Sequence, residues 1–395
     1  MWLLLACAPP SVLLDPPTVD AETPSPVSPV AAEGDTWVVA CDGSGDFDTI
    51  QAGIDASHDG DVLHVQPCTY EETLDFRGRS IRVESTDGPE TTVIDARGRG
   101  SVVTVATAET DATVLSGFTL TGGSGTYGSA LLVDFASFRL ENSILSDNEG
   151  YATVTTSSGD LELDGVTIAD NTGQRGGVAI LLDRGTLVAD ASDVTCGSRG
   201  SYAMYLSHGS AFVDWSRVAC SSGYSVAFEH TVGRVQRSVL EDPVYVLSEE
   251  DHYDDLVALE NNVIHGGISA TYGMLRVRNS VVVDGSLRLV GTSPTTEVSG
   301  SLFQGLDCAI DADTTDFLVR YNDFWDVGTD RCDGGVYVGT EGNFSADPEV
   351  DDAWLPDAGS ALVDAGPPET ELSDPDGSRN DVGVYGGPRT VGGGW

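Results

Sequence analysis

The sequence predicts an all-β fold: a single-stranded right-handed parallel β-helix (a solenoid) with a short N-terminal capping helix. Two observations predict it. A short motif of alternating apolar and polar residues recurs along most of the chain, with successive copies starting 18 to 27 residues apart, and two pairs of cysteines are separated by 24 residues. A repeat of this length with strand-type alternation corresponds to one coil of a parallel β-helix, in which every coil pairs with the next.

Ten copies of the motif indicate at least ten coils. Leucine-rich repeats have a similar period, but these segments lack the required leucine frame, and propeller blades are longer. At about 4.8 Å per coil, the ten copies and the end coils form a rod on the order of 50–60 Å long. The copies begin at Leu115, Glu141, Asp164, Ala191, Trp215, Gln236, Glu260, Arg278, Ser299 and Arg320.

The first 34 residues are expected to lie outside the folded region. Residues 1–7 are interpreted as a lipoprotein-type signal segment, because Leu4-Leu5-Ala6-Cys7 resembles the lipobox of bacterial lipoproteins. The resemblance implies lipidation of Cys7 and a location at the outer membrane or cell surface, or otherwise secretion; a stray hydrophobic start is the alternative. Residues 8–34 are rich in proline and predict a disordered tether.

The folded domain is predicted to occupy residues 35–390, with a cap at each end. Within about 37–75, a short strand at 37–40 is followed by a turn, and the segment from Thr49 to Ser57 has the apolar spacing of a short amphipathic helix. An open last coil would expose the apolar core, so a solenoid needs such caps. The segment of about 342–390 is predicted to form C-terminal capping loops.

Six cysteines after Cys7 predict three local disulfides. Cys196 and Cys220 each lie five residues after the start of their own motif copies, so they are expected to sit one above the other on adjacent coils. An even number of cysteines in an exported protein favours disulfides; free thiols stacked in the core are the alternative. The predicted pairs are Cys41–Cys68, Cys196–Cys220 and Cys308–Cys332.

The charge of the chain limits its partners. There are 63 acidic residues against 19 basic ones, and every basic residue is arginine, which gives a net charge of −44. Nucleic-acid binding and docking on anionic lipids both require a cationic surface. We therefore expect that the chain binds no nucleic acid and contacts a membrane only through an N-terminal lipid. We also expect a monomer.

Two parts of the folded region carry a more specific pattern. Near its start stand Asp42-Gly43-Ser44-Gly45-Asp46-Phe47 and Pro67-Cys68-Thr69-Tyr70-Glu71-Glu72, and near its end stands Asp374-Pro375-Asp376-Gly377-Ser378-Arg379-Asn380-Asp381. The first two resemble the N-terminal coils of pectinesterase-type proteins, and the whole stretch of about 37–388 is similar to bacterial β-helix proteins of the pectin-lyase-like superfamily. The resemblance implies a right-handed parallel β-helix.

The resemblance does not extend to catalytic residues. The pectinesterase catalytic segments are absent, and Val133-Asp134-Phe135 is the nearest fragment of one. A polygalacturonase-like hydrolase needs carboxylates on adjacent coils as acid and base. Three segments resemble motifs of that family in the same order: Asp254-Asp255, His265-Gly266-Gly267 and Arg276-Val277-Arg278. The spacing between them is shorter than in the family, and its Asn-Thr-Asp segment is missing. The candidate catalytic residues from these segments are Asp254, Asp255, His265 and Arg276.

Calcium is the one cofactor that the sequence suggests. Asp374, Asp376 and Asp381 are spaced like part of a calcium loop, whose ligands are oxygen atoms. The alternative is a turn in which aspartate side chains accept backbone hydrogen bonds.

Two functions follow. The favoured one is an exported cell-envelope protein, a binding or structural module that presents a long face to glycans or envelope partners. The alternative is a carbohydrate-active enzyme (a polysaccharide lyase, glycoside hydrolase or pectinesterase-like enzyme) that acts on an acidic polysaccharide. Aromatic side chains available to contact sugars are Tyr202, Tyr205, Tyr224, Tyr245, Tyr253, Tyr272, Trp325 and Trp354.

Overall fold

The computed structural model describes residues 34–249, 255–315 and 317–388. The predicted signal segment with Cys7, and the predicted tether up to residue 33, lie outside the described residues. The described part contains one α-helix, Ile50–Ala56, and one short 3-10 helix, Thr370–Leu372. Its other regular elements are short strands that pair in parallel.

The strands form three ladders, and each ladder is one face of a solenoid. Strands of the first face are Thr36–Val39, Val62–Val65, Arg82–Ser85, Val114–Ser116, Ser137–Glu141, Ser210–Asp214, Val232–Gln236, Leu256–Glu260, Met274–Arg278, Glu297–Ser299 and Leu318–Arg320. Those of the second face are Cys68–Tyr70, Thr92–Asp95, Thr119–Thr121, Ile144–Leu145, Thr167–Ile168, Asp193–Thr195, Arg217–Ala219, Val239–Leu240, Val263–His265, Val281–Val283, Leu302–Gln304 and Asp323–Trp325. Those of the third face are Leu74–Asp75, Val103–Val105, Leu131–Asp134, Tyr202–Ser207, Tyr224–Glu229, Val244–Leu247, Ile268–Thr271, Leu287–Val290, Cys308–Ala312 and Thr329–Arg331.

Two long strands connect the third face directly to the first. They are Glu149–Asp164 and Thr172–Asp190, and each pairs with third-face strands through its first half and with first-face strands through its second half. In the part of the chain that the structure describes, the solenoid has about 13 turns. The predicted all-β, right-handed parallel β-helix is thereby confirmed.

The core is a narrow column of apolar side chains inside the three faces. Alternate residues of each strand point inward, so a strand such as Ser210–Asp214 buries its second and fourth residues and leaves the others nearer to solvent. Rings on neighbouring coils stack along the axis, as Phe303 and Phe324 do with centroids 5.2 Å apart. This stacking brings equivalent positions of successive coils into contact.

The recurring motif forms the corner between the first and second faces. At this corner one residue takes a positive φ, for example Ala191 at 46° and Trp215 at 48°. In most copies the next residue is a buried serine or asparagine that joins adjacent coils: Ser216 Oγ accepts a hydrogen bond from Ser192 N at 3.2 Å and donates one to Asp214 O at 2.8 Å. The polar pair of the motif therefore supplies the bend and the link to the neighbouring coil.

The N-terminal cap agrees with the prediction. Ile50 and Ile54 of the helix are fully buried against the first coils of the core. Thr49 caps the helix by accepting a hydrogen bond from Ala52 N at 3.2 Å, and the carboxylate of Glu72 accepts hydrogen bonds from the first two helical N–H groups.

All three predicted disulfides are present. The Cα–Cα distances are 6.5 Å for Cys41–Cys68, 5.0 Å for Cys196–Cys220 and 5.5 Å for Cys308–Cys332. These distances lie within the range that a disulfide requires. The Cys196–Cys220 bond also verifies the coil register, because it joins equivalent positions of neighbouring second-face strands.

The C-terminal segment packs along the outside of the second face. Leu362, Val382 and Val384 contact outward residues of that face, among them Val281 and Leu302. Beyond the last coils, Tyr337 and Val338 pack against the main core. The segment predicted as capping loops therefore covers the side of the helix, while residues just before it cover the end.

Candidate functional site

The residues proposed as a hydrolase site are not brought together. Asp254 lies outside the described residues. Asp255 precedes a first-face strand and accepts a hydrogen bond from Ser248 Oγ at 3.1 Å. His265 ends a second-face strand and pairs with Asp284 at 2.9 Å, while Arg276 is a first-face residue 4.0 Å from Glu297. Each of the three contacts a separate partner.

The calcium candidates are engaged with the backbone of the C-terminal segment. Asp374 accepts hydrogen bonds from Gly387 N at 2.5 Å and from Asp381 N at 3.1 Å, and Asp376 accepts one from Ser378 N at 2.9 Å. Burial, opposed by the Gly387 hydrogen bond, raises the pKa of Asp374 to about 7. Among the described residues, no group of three or more metal-ligating side chains is placed to hold an ion. Calcium binding stays a prediction.

The outer surface of the first face is charged. Arg278 and Arg320 both pair with Glu297, and Arg234 pairs with Glu260 at 2.6 Å. Desolvation by itself would raise the pKa of the Glu260 and Glu297 carboxyls. The neighbouring arginines outweigh it and lower the pKa of both. The network neutralises much of the charge on this surface.

A column of aspartates continues the charged surface toward the N-terminus. Asp164, Asp190 and Asp214 are direct partners on successive first-face strands. Desolvation of its carboxyl and the negative charges of Asp214 and Asp164 raise the pKa of Asp190, although much of the residue remains exposed. Asp214 accepts hydrogen bonds from Arg237 and from Gln236 Nε2, so the guanidinium compensates one end of the column.

The third face carries a compact group of aromatic rings, here called the tyrosine cluster: Tyr202, Tyr205, Tyr224 and Tyr245. The rings of Tyr202 and Tyr224 are stacked with centroids 5.5 Å apart, because these two residues are direct partners on adjacent strands. Tyr205 meets Tyr202 edge-on at 5.2 Å, and Tyr245 meets Tyr224 at 5.7 Å. All four tyrosines are partly exposed to solvent.

The cluster is held in place from below and from one edge. Ala227 lies between Tyr205 and Tyr245 in the pairing register and is 1% exposed, so the rings cover it. The hydroxyl of Tyr205 donates a hydrogen bond to the Glu229 carboxylate. Desolvation and the neighbouring Tyr224 raise the pKa of Tyr202, which keeps its phenol neutral.

The sequence identified each of these tyrosines as a candidate for contacting sugars, but it did not predict that they form one cluster. Tyr202, Tyr224 and Tyr245 are separated by 22 and 21 residues, which is one coil length in this part of the chain. That spacing was the signal for a stack. Of the other aromatic candidates, Tyr253 lies outside the described residues, and Trp325 and Trp354 pack against the apolar group beneath the C-terminal segment.

A cavity of about 410 Å³ lies where the C-terminal segment meets the last coils. It is lined by Tyr321, Phe344, Asp364 and Arg379, among others. The guanidinium of Arg379 stands 5.3 Å over the Tyr321 ring and donates a hydrogen bond to Gly366 O at 2.7 Å. The contact between Arg379 and Tyr321 ties the C-terminal segment to the solenoid. In the described residues, no helix is long and apolar enough to cross a membrane.

Comparison with solved structures finds similar chains at low sequence identity. No family model matches the chain, and no curated protein matches it. A pectin methylesterase from carrot has 13% sequence identity over 80% of this chain and 89% of that chain, with a TM-score of 0.29. The pectate lyase Pel9A has 12% identity over 90% of this chain and 97% of that chain, with a TM-score of 0.45. Sequence identities and TM-scores this low assign no activity to the chain.

Proposed function

We propose that this chain is an exported binding module that holds an extended polysaccharide along its third face. The observation that carries the proposal is the tyrosine cluster, a group of half-exposed rings on consecutive coils. Tyrosine offers an apolar ring to the C–H groups of a sugar and a hydroxyl to its polar groups. Neighbouring coils rise by about 4.8 Å, a spacing close to the length of one sugar residue in an extended chain.

The rigidity of the cluster supports binding. Ring-to-ring contacts and the Tyr205–Glu229 hydrogen bond hold the side chains before a ligand arrives. Side chains that are already ordered lose little conformational entropy when they bind.

Export is supported by the disulfides. Disulfides persist in oxidising compartments and are rare in the cytosol. The three bonds close loops of 24 to 27 residues at both ends and in the middle of the solenoid. We propose a monomer, anchored through lipidated Cys7 or otherwise secreted, that meets its polysaccharide outside the cell.

The experiment measures retention of the purified full chain on a panel of insoluble and immobilised polysaccharides. The double variant Tyr224→Ala/Tyr245→Ala should bind the retained polysaccharide at least about tenfold more weakly, a loss of roughly 1.4 kcal/mol. Trp215→Ala is the matched control, because Trp215 is an exposed aromatic residue at the first-face corner, 41% accessible to solvent. It should bind like the parent protein.

Equal binding by the tyrosine double variant, or retention on no polysaccharide, would refute the proposal. Circular dichroism and the thermal midpoint establish that the variants are folded. If the double variant does not fold, Tyr224→Phe/Tyr245→Phe replaces it, since phenylalanine keeps the ring packing and removes only the hydroxyls.

A second candidate function is hydrolysis at the aspartate column of the first face. The specific observation is the raised pKa of Asp190 beside Asp214, which is paired with Arg237. A general acid needs a raised pKa next to an ionised carboxylate. The retention assay therefore also measures soluble sugar products. Product release that disappears in Asp190→Asn would establish this second function.

A further inference from the structure

The outward column through the tyrosine cluster carries no charged residue over eight consecutive strands. Its members are direct partners in the third-face ladder: Thr104, Leu132, Thr155, Leu181, Tyr205, Ala227, Tyr245 and Ser269. At about 4.8 Å per strand the column is roughly 34 Å long. Charged residues make up 21% of the chain, and this strip contains none. We call it the uncharged column.

Charges appear at both ends of the uncharged column and along one edge. In the third-face ladder, Asp75 is the partner of Thr104 at one end of the column, and Arg288 is the partner of Ser269 at the other end. Two residues further along five of these strands, the ladder carries acids on alternate coils, with serines on the coils between them. This edge consists of Asp134, Ser157, Asp183, Ser207 and Glu229.

Two arginines that the structure describes near this surface lie outside the uncharged column. Arg184 pairs with Asp183 at 3.8 Å. Arg199 lies in the turn before Tyr202, at the opposite end of that strand from the acidic edge. On the first face, by contrast, Arg278 and Arg320 are paired with acids across neighbouring strands.

We propose that the polysaccharide held along the uncharged column is itself uncharged, a neutral glycan without carboxylate or sulfate groups. This inference rests on the proposed function of the tyrosine cluster. A bound carboxylate must be desolvated, and the loss of hydration is recovered only by a cation or by several donors. The described members of the uncharged column include no cation, and the hydroxyl of Tyr205 at its centre already donates to Glu229.

The acidic edge favours the same ligand. Carboxylates accept hydrogen bonds from hydroxyl groups, which a neutral sugar has in abundance. The same carboxylates, and the net charge of −44, repel a polyanion. The edge residues Asp134, Asp183 and Glu229 therefore distinguish a neutral glycan from an acidic one.

The experiment compares two polysaccharides with the same backbone, an unmodified β-glucan and its carboxymethylated form. Affinity electrophoresis of the full chain should show binding to the neutral form that is at least about tenfold stronger. Raising the salt concentration from about 0.05 to about 0.5 M should leave that binding unchanged, since screening weakens only interactions between charges.

Two variants test the reason for the preference. Leu181→Arg places a cation in the uncharged column; it should weaken binding of the neutral form and strengthen binding of the carboxymethylated form. Ser269→Arg, at the partly exposed end of the column, replaces it if Leu181→Arg does not fold. Arg199→Gln should leave the preference unchanged.

The outcomes separate the two proposals. Absence of binding to both polysaccharides would overturn the function of the tyrosine cluster. Binding that depends on the cluster but is equal or stronger for the carboxymethylated form would overturn only the inference about charge. A preference for the charged form that is lost in Arg199→Gln would assign acidic-glycan recognition to that arginine and would also overturn the inference.

Discussion

Raising the pH should destabilise the protein through one buried carboxyl group, that of Asp323. This residue lies on the last strand of the second face and is 0% exposed, because the C-terminal segment covers it. One carboxyl oxygen accepts a hydrogen bond from Ala346 N at 3.0 Å. The other is buried without a partner in the described part of the chain.

Burial raises the pKa of Asp323 from its ordinary value of 3.8 to about 7. Between these two values the unfolded chain has released the proton and the folded chain has kept it. The free energy of unfolding therefore falls as the pH rises from about 4 to about 7, and it is constant with respect to this group at higher pH. The full difference corresponds to roughly 4 kcal/mol, and the part between pH 5 and pH 8 to roughly 3 kcal/mol.

The assay is urea unfolding of the parent protein and of Asp323→Asn at pH 5 and at pH 8. Asparagine retains the acceptor for Ala346 N and cannot ionise. The stability of the variant relative to the parent should increase by about 3 kcal/mol between pH 5 and pH 8, because only the parent loses stability over that range. Asp352→Asn, at an exposed position of the same segment, controls for the change in net charge. Identical pH dependence of the parent and Asp323→Asn would refute the reasoning.

Three further perturbations test other parts of the fold. Cys196→Ala/Cys220→Ala removes a disulfide that closes a 24-residue loop and should lower the free energy of unfolding by about 3 kcal/mol, measured by urea unfolding under oxidising conditions. Ser216→Ala leaves the buried N–H of Ser192 without its acceptor and should cost about 1–3 kcal/mol in the same assay; an unchanged midpoint would show that the serine links add nothing. Val384→Asp places a charge at a fully buried contact and should release the C-terminal segment to proteolysis while the far-UV spectrum of the β-helix persists; resistance to protease would contradict the packing described here.

The repeat and the disulfides were predictable because both are local in the solenoid. A residue and its neighbour on the next coil are separated by one coil length, so a period in the sequence is a contact in space. The equal offsets of Cys196 and Cys220 within their motif copies were enough to pair them. The same rule explains why Tyr202 stacks on Tyr224.

The environment of Asp323 was not predictable from the repeat. Its burial depends on the C-terminal segment, which returns more than twenty residues later in an irregular conformation with no period. The hydrolase-like motifs failed for a related reason. His265 and Arg276 are close in sequence, but the third-face strand Ile268–Thr271 lies between their strands and places them on different faces. Short spacing along a solenoid separates residues that a full coil length would bring together.

The most direct test of the account is hydrogen exchange of the full chain with and without the polysaccharide that it retains. Protection should appear in the third-face strands Tyr202–Ser207, Tyr224–Glu229 and Val244–Leu247 and leave the charged first-face strands unchanged. Protection confined to the first face, or to the cavity beside Arg379, would contradict the claim that the tyrosine cluster is the binding site.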